Sequence, residues 1–437
     1  MAMQRLVVRV PRALLEPGAQ GAVPPLPSGD GEGLLAVELG LRGDRLDTIR
    51  PLDAEMAQRL NPPLALPPLV EPHAHLDKAF SWSQFPNPAG SMAGALAANT
   101  AEAAQRSAAQ VLERGERALE QAWRYGLRAI RSHVDSGGPQ EASSWEALLE
   151  LQRRWRRRVE LQLVALVPLA HWSTPAGEAL AARLAAAGGL LGAVLGPPFA
   201  EAYGQRAALQ QLLRLAERQG CGIDLHIDEA DGQPALGLCL LLAALRRTPV
   251  AVPITCSHCS SLALLPLAAQ RRLAAQLAAR SLAVVALPST NLWLLGRRAG
   301  GSPLQRPLAP VAVLQQEGVA VAIGADNVQD PWYPGGDFDP IALLRLALPA
   351  LQLAPWTRQG LMPFSGVPAR LLGLAWDGVL RRGAPADLLV LAASSWSELL
   401  ARTPQRRLLR AGQWLEPPAA QQPDPRLASL GAPHSLA

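Results

Sequence analysis

The sequence predicts an α/β fold: a (β/α)8 barrel with a small β domain built from the N- and C-terminal segments. Three observations predict it. Short apolar runs alternate about eight times with longer Ala/Leu/Arg/Gln-rich stretches of helical period, which implies parallel strands joined by crossovers. Five of the seven histidines fall at or near the carboxyl ends of those runs, where a barrel gathers its strand ends into one mouth. Strand-like segments with turn signals stand at both ends of the chain, outside the alternating region.

Residues 1–65 read as short strands and turns forming the first part of the small domain. Residues 6–10 make one strand, and 34–41 with 45–49 make a hairpin around Arg42-Gly43-Asp44. The Pro-rich stretch 61–68 marks a boundary. The barrel follows over 66–367, with apolar runs at 69–75, 127–135, 159–168, 192–195, 222–228, 250–258, 282–288 and 319–326. Helical segments such as 101–125, 207–219 and 263–279 lie between them. An open doubly wound sheet fits the same rhythm, but no GxGxxG or GxxxxGK[ST] loop follows the first run. Strands return at 388–391, 407–409 and 413–415, inside a second part of the small domain at 368–416. The Pro/Ala/Gln-rich tail, 417–437, reads as disordered.

Composition bounds the function. Of 437 residues, 49% are hydrophobic and 18% charged, enough for a large core and too apolar for global disorder. The net charge of +5 does not signal nucleic acid. Only one of the 41 basic residues is a lysine, Lys78, and the arginines sit in a general Ala/Leu/Arg/Gly/Pro bias. The cluster Arg153, Arg154, Arg156, Arg157 and Arg158 ends a helical pattern and reads as a solvated terminus. No basic stripe with interleaved aromatics appears. The first residues lack the apolar core of a signal peptide, and no run of 18 apolar residues suggests a membrane span. Four cysteines in so long a chain fit a reduced compartment, so a cytoplasmic enzyme with a small-molecule substrate is expected. A homo-oligomer is compatible with all of this.

The chemistry sits at the strand ends. In Glu71-Pro72-His73-Ala74-His75, positions i and i+2 of a strand share a face, so His73 and His75 reach one metal ion together. Asp224-Leu225-His226-Ile227-Asp228-Glu229 adds a third imidazole. Alternation places Asp228 on the face of His226, while Glu229 opens the loop over the mouth, and spacing leaves both open as proton shuttle. Cys256-Ser257-His258-Cys259 resembles a zinc or redox motif, but the other two cysteines supply no second ligand pair. His258 fits a catalytic group beside the metal better. In Gly324-Ala325-Asp326, the glycine permits close backbone approach and Asp326 offers a hard oxygen. Three histidines, one aspartate and water suit one divalent ion, Zn²⁺ or Fe²⁺. His133, at the end of the second run, suits a supporting position. Asn291, Trp293, Trp332 and Tyr333 are candidates for the pocket wall, with core packing as the other role.

These pieces stand in an order that resembles the amidohydrolase superfamily, and within it the cytosine deaminase branch. They are LVEPHAHLDK, RSHVD, LQLVA, DLHIDE, SHCSSL, ALPSTNLWLLGR, GADNVQDPWYP and GAPADLLVL, spread over residues 66–415. The chain is also similar to the N-isopropylammelide amidohydrolases. The resemblance implies that His73, His75, His226 and Asp326 ligate one metal, that Glu229 is the proton shuttle, and that His258 orients or polarises the water. No lysine stands near 159–168 or 192–195, so the carbamylated lysine that bridges two metals in other branches is absent. Lys78 follows the His-x-His too closely for that role; the loop over the site and the surface both remain open to it.

Two departures touch the substrate. Where cytosine deaminases end the third strand in Phe-Pro-Gln, this chain has Leu166-Val167-Pro168, and proline offers no amide. After the metal aspartate, their second acidic residue is replaced by Asn327. A pocket built for one hydrogen-bond pattern rejects molecules that mismatch it. The expected activity is hydrolytic deamination of an amino-substituted N-heterocycle, a pyrimidine or triazine, with release of ammonia or a small amine. Hydrolysis of a cyclic amide or N-acyl bond is the enzymatic rival, told apart by ammonia. A non-catalytic binding homologue is the other, told apart by loss of metal.

Overall fold

The structure is a computed structural model and describes residues 4–16, 29–138, 140–197, 199 and 202–415. The tail at 417–437 lies outside the described residues. The strands are β1 (Gln4–Pro11), β2 (Leu34–Arg42), β3 (Arg45–Pro51), β4 (Leu64–Leu66), β5 (Leu69–Ala74), β6 (Leu127–Asp135), β7 (Glu160–Pro168), β8 (Leu190–Leu195), β9 (Ile223–Ile227), β10 (Ile254–His258), β11 (Ala283–Ala286), β12 (Ala320–Ile323), β13 (Leu388–Leu391), β14 (Arg406–Arg410) and β15 (Gln413–Trp414).

The two ends of the chain form one seven-stranded sheet in the order β15-β14-β13-β4-β1-β2-β3. Its seam is β4 against β13, antiparallel, with Leu66 opposite Leu389. The hairpin β2–β3 turns at Gly43, whose φ of 62° suits glycine. The first segment also holds a helix that was not expected. Residues Ala54–Leu60 form a helix, capped by Asp53, whose side chain accepts from the Met56 amide, and ended by left-handed Asn61. None of its residues is buried, so no apolar period announces it and only the caps do.

The second sheet has eight strands, β5 to β12, neighbouring in sequence order and all parallel. Strands β5, β9, β10 and β11 are buried throughout, as parallel strands between two layers are. β12 returns to β5 through a single parallel bridge, Ala74 with Asp326, where the Asp326 amide donates to the His73 carbonyl at 3.0 Å. The barrel therefore closes where its histidines lie. Helices pack outside, joining the strands into one large core.

The helical stretch expected over 101–125 is two helices, Met92–Ala103 and Ala108–Tyr125. The break has a local cause. Ser107 and Gln110 form a reciprocal capping box that starts the second helix. Arg106, just before it, turns inward to Glu102, Asp77 and Asp135. In the arginine cluster, Arg153 pairs with Glu150, Arg154 with Glu116, and Arg158 lies over the Trp155 ring. Among the described residues, no helix is long and apolar enough to cross a membrane.

Candidate active site

Strand alternation carries polar side chains into the barrel at successive depths. β6 contributes Arg131, His133 and Asp135; β9 contributes Asp224 and His226; β10 contributes Thr255 and Ser257; β5 contributes Glu71 and His73, with His75 one residue beyond. All but the partly exposed Asp135 are buried. Barrel interiors are usually filled by branched apolar residues, so a polar column of this kind marks a site.

At its upper end the histidines converge. His73 Nε2 stands 3.2 Å from His226 Nε2, which stands 3.4 Å from His75 Nε2. Asp326 Oδ1 lies 3.2 Å from His75 Nε2 and 3.5 Å from His73 Nε2. His73, His226, His258 and Asp326 each offer a ligand atom within 4.8 Å of the others. Burial first, then neighbouring positive groups, holds the imidazoles of His73, His75 and His226 well below the usual histidine range, which leaves them neutral. Burial raises the Asp326 carboxyl. Neither Asp326 oxygen meets a hydrogen-bond donor in good geometry. Buried polar atoms seldom stay unpaired, and nitrogen and carboxylate donors aimed at one point fit a divalent cation.

A second group, His73, His133 and Asp224, is equally compact. It does not suit an ion, because Arg131 already donates to Asp224 Oδ2 at 2.7 Å and His73 Nδ1 already meets Ser257 Oγ at 2.9 Å. His133 stacks on His73 with ring centroids 3.9 Å apart.

The backbone is strained where the site is built. Asp228, His258, Cys259 and Asp326 have φ of 56°, 72°, 51° and 67°. Left-handed non-glycine residues cost free energy and tend to gather where function requires them. Glu71 braces the barrel seam. Its carboxyl accepts from the amides of His73 at 3.0 Å and Ala325 at 3.0–3.1 Å, and burial pushes it up to about 8. A Cβ on Gly324 would lie 2.6 Å from Glu71 Oε1, so only glycine allows this approach.

Asp228 and Glu229 stand in different surroundings. Asp228 turns away and caps the helix Leu236–Arg247, accepting from the amides of Gly237 at 2.8 Å and Leu238 at 2.9 Å. Glu229 Oε1 accepts from Asn291 Nδ2 at 3.2 Å and lies 3.4 Å from His258 Nδ1. Burial, then Asp326, raises its carboxyl well above the usual range.

The other expected residues are placed as follows. Asn327 is buried, its Nδ2 donating to Asp330 at 2.8 Å and its Oδ1 accepting from Thr290 at 3.3 Å. Trp332 packs with Trp293, Leu294 and Leu295, and both indole N–H groups lack partners. Pro168 is exposed at the carboxyl end of β7. Cys256 and Cys259 are buried free thiols.

Lys78 is not on the surface. It is 2% exposed and donates to Asp135 Oδ1 at 2.9 Å. Around that pair Arg106 binds Asp77 at 2.7 Å and Glu102 at 2.5 Å, and Arg114 binds Glu102 at 2.5 Å. This ionic cluster, the Glu71 brace and the chain from Arg131 to His73 were missed in the sequence. Alternation along β5, β6 and β9 puts Glu71, Arg131 and Asp224 on the inner face, but only the fold shows what each meets.

Residues 89–413 match the amidohydrolase family. A pterin deaminase of Rhizobium rhizogenes is 34% identical over 394 residues, covering 88% of this chain and 89% of that protein. The crystal structure of a 5-methylcytosine deaminase from Klebsiella pneumoniae liganded with 5-fluorocytosine superposes with a TM-score of 0.78 at 24% identity, over 96% of this chain and 99% of that one. That of an N-isopropylammelide isopropylaminohydrolase from Burkholderia multivorans gives 0.68 at 26%, over 94% and 98%. The chain belongs to the amidohydrolase family and is a hydrolase of carbon–nitrogen bonds other than peptide bonds.

Proposed function

We propose that the protein is a metal-dependent deaminase of an amino-substituted N-heterocycle, holding one zinc or iron ion through His73, His75, His226 and Asp326. The observation that carries this is the clustering of the His73, His75 and His226 Nε2 atoms, 3.2–3.4 Å from one to the next, beside an Asp326 carboxylate 3.2 Å from His75 and 3.5 Å from His73. When bound, the ion supplies Lewis acidity that brings the pKa of water towards neutrality.

The chain's own groups handle the protons. Glu229 accepts the proton of the attacking water and returns it to the departing amine. Its raised carboxyl suits both duties. Asn291 holds it in place and also donates to His258 Nδ1 at 3.1 Å. A neutral His258 whose Nδ1 accepts carries its proton on Nε2. His258 then directs an N–H into the site and orients water without ligating. Asn327, buried beside Asp326, and Trp332 are proposed to contact the ring, and Pro168 offers no donor at the end of β7. The similarity to a pterin deaminase supports adding pteridines to pyrimidines and triazines in the substrate panel. The four free cysteines support a cytoplasmic location.

The test is ammonia release by the purified, metal-analysed protein on amino-pyrimidines, amino-triazines and amino-pteridines. Glu229→Gln is expected to keep the metal and lose at least about 100-fold in rate. Metal-loaded wild type that releases no ammonia but opens cyclic amides would replace deamination with amide hydrolysis.

A further inference from the structure

We propose that Arg131, Asp224 and Ser257 form a positioning chain that sets the tautomer of His73 and thereby which of its nitrogens faces the ion. The inference rests on the reading of His73 as a ligand. It follows from counting protons along buried bonds.

Arg131 is 1% exposed, and every side-chain nitrogen donates. Nε donates to Gln162 at 2.9 Å, Nη2 to the Leu371 carbonyl at 2.6 Å, and Nη1 to Thr255 at 3.2 Å and Asp224 Oδ2 at 2.7 Å. A guanidinium only donates, so Asp224 accepts at Oδ2 in a charge-assisted bond. Asp224 Oδ1 lies 2.7 Å from Ser257 Oγ. Burial pushes the Asp224 carboxyl up, and the Arg131 guanidinium 2.7 Å away opposes that and favours the ionised form. An ionised carboxylate has no proton to give, so Ser257 spends its single proton there. The remaining Ser257 contact, 2.9 Å to His73 Nδ1, must then be accepted by the hydroxyl. His73 carries its proton on Nδ1, and its Nε2 lone pair is left for the cluster.

Reversing one bond would reverse the rest. A proton on His73 Nε2 would face His226 Nε2 at 3.2 Å and block ligation. Arg131 sets the direction from the far end of the barrel, beside a cavity of about 380 Å³ that it lines with Gln162, Cys221 and Thr255. The chain runs from β6 through β9 and β10 to His73 on β5.

The experiment uses the full-length zinc- or cobalt-loaded protein. Ser257→Ala, Ser257→Thr and Asp224→Asn are compared with wild type by chelator competition and by the visible spectrum of the cobalt form. Ser257→Ala and Asp224→Asn are expected to weaken ion binding roughly 10–100-fold and to change the cobalt spectrum, while Ser257→Thr, which keeps the hydroxyl, stays within about threefold. Unchanged affinity and spectrum in Ser257→Ala would overturn the proposal. So would equal losses in the Ala and Thr variants, which would indicate packing alone. If the alanine variant does not fold, nitrogen-15 histidine NMR of wild-type zinc protein decides. A protonated Nδ1 on His73 supports the chain, and a protonated Nε2 refutes it. Wild type that binds no ion at all would instead remove the reading of His73 as a ligand.

Discussion

Replacing Lys78 by methionine tests whether the ionic cluster under the mouth is structural. The side chain is 3% exposed, and its ammonium lies 2.9 Å from Asp135 Oδ1. Methionine keeps the length of the stem and removes the charge. Breaking a buried pair by removing one partner costs about 3–5 kcal/mol when the other charge is left alone. Asp135 is not left alone. Arg106 remains 3.2 Å away and Asn99 3.4 Å away. The expected cost is therefore lower, about 1–3 kcal/mol at neutral pH, the range for leaving part of a buried hydrogen-bonding group unmet. The pH dependence has a definite sign. Burial opposes ionisation of Asp135, yet Lys78 and Arg106 hold its carboxyl well below the usual range. A carboxyl depressed on folding contributes stability that is present above its unfolded pKa and is lost as pH falls through the folded value. Without Lys78 the folded value rises, and the unfolded value is common to both proteins, so the stability gap between wild type and variant should be constant at neutral pH and narrow only as pH falls through the variant's raised folded value. Urea unfolding from pH 3 to pH 7, followed by circular dichroism with ion content recorded, measures both. A gap that is absent at pH 7, or that widens in acid, would refute the account. Lys78→Arg separates charge from shape. A second, bulkier guanidinium beside Arg106 should cost about 1–3 kcal/mol through overpacking although the charge is kept.

Two further substitutions examine the site's supports. Asp228→Ala strips the partners from the buried amides of Gly237 and Leu238. It should cost about 1–3 kcal/mol in denaturant titration. Ammonia release per bound ion should stay within a few-fold, and loss of turnover at full metal content would return Asp228 to the proton-shuttle role. Gly324→Ala drives a Cβ to 2.6 Å from Glu71 Oε1 and 3.3 Å from the His73 Cβ. Overpacking of this kind costs about 1–3 kcal/mol. Metal content and melting temperature should fall together, and an unchanged variant would show that Glu71 yields without disturbing His73.

How much of this was legible depends on the range of the signal. His73, His226 and His258 were readable because strand period and strand end are local properties, and the barrel brings strand ends together by construction. Asp326 was readable by the same rule. The partnership of Arg131 with Asp224, 93 residues apart, was not, because alternation assigns a face and no partner. Asp228 and Glu229 could not be separated by alternation, since Asp228 takes φ of 56° and the strand period ends there. The broken helix at Arg106 was a different failure. Ser107-x-x-Gln110 is a local capping signal, outweighed by the apolar period running across it. The helix Ala54–Leu60 had caps and no period at all.

The barrel's seam and its site are the same place, and this has a mechanical consequence. β5 and β12 share one bridge, at Ala74 and Asp326, whereas β6 and β7 pair over seven positions. Little backbone bonding therefore holds the first strand to the last. What substitutes is the Glu71 carboxyl, tied to amides on both sides of the seam, and the Asp326 amide on the His73 carbonyl. On the proposed ligand set, His73, His75 and Asp326 would hold an ion from both sides of the same gap. Asp326 is held in a left-handed conformation there, at a cost that an ion on its carboxylate would offset. A weakly paired seam lets the two strands be spaced by ligand geometry instead of by a ladder of hydrogen bonds. That is why the residues closing the ring are a glycine, a buried acid and two groups of the cluster, and not branched apolar residues such as Val284 and Val285 of β11.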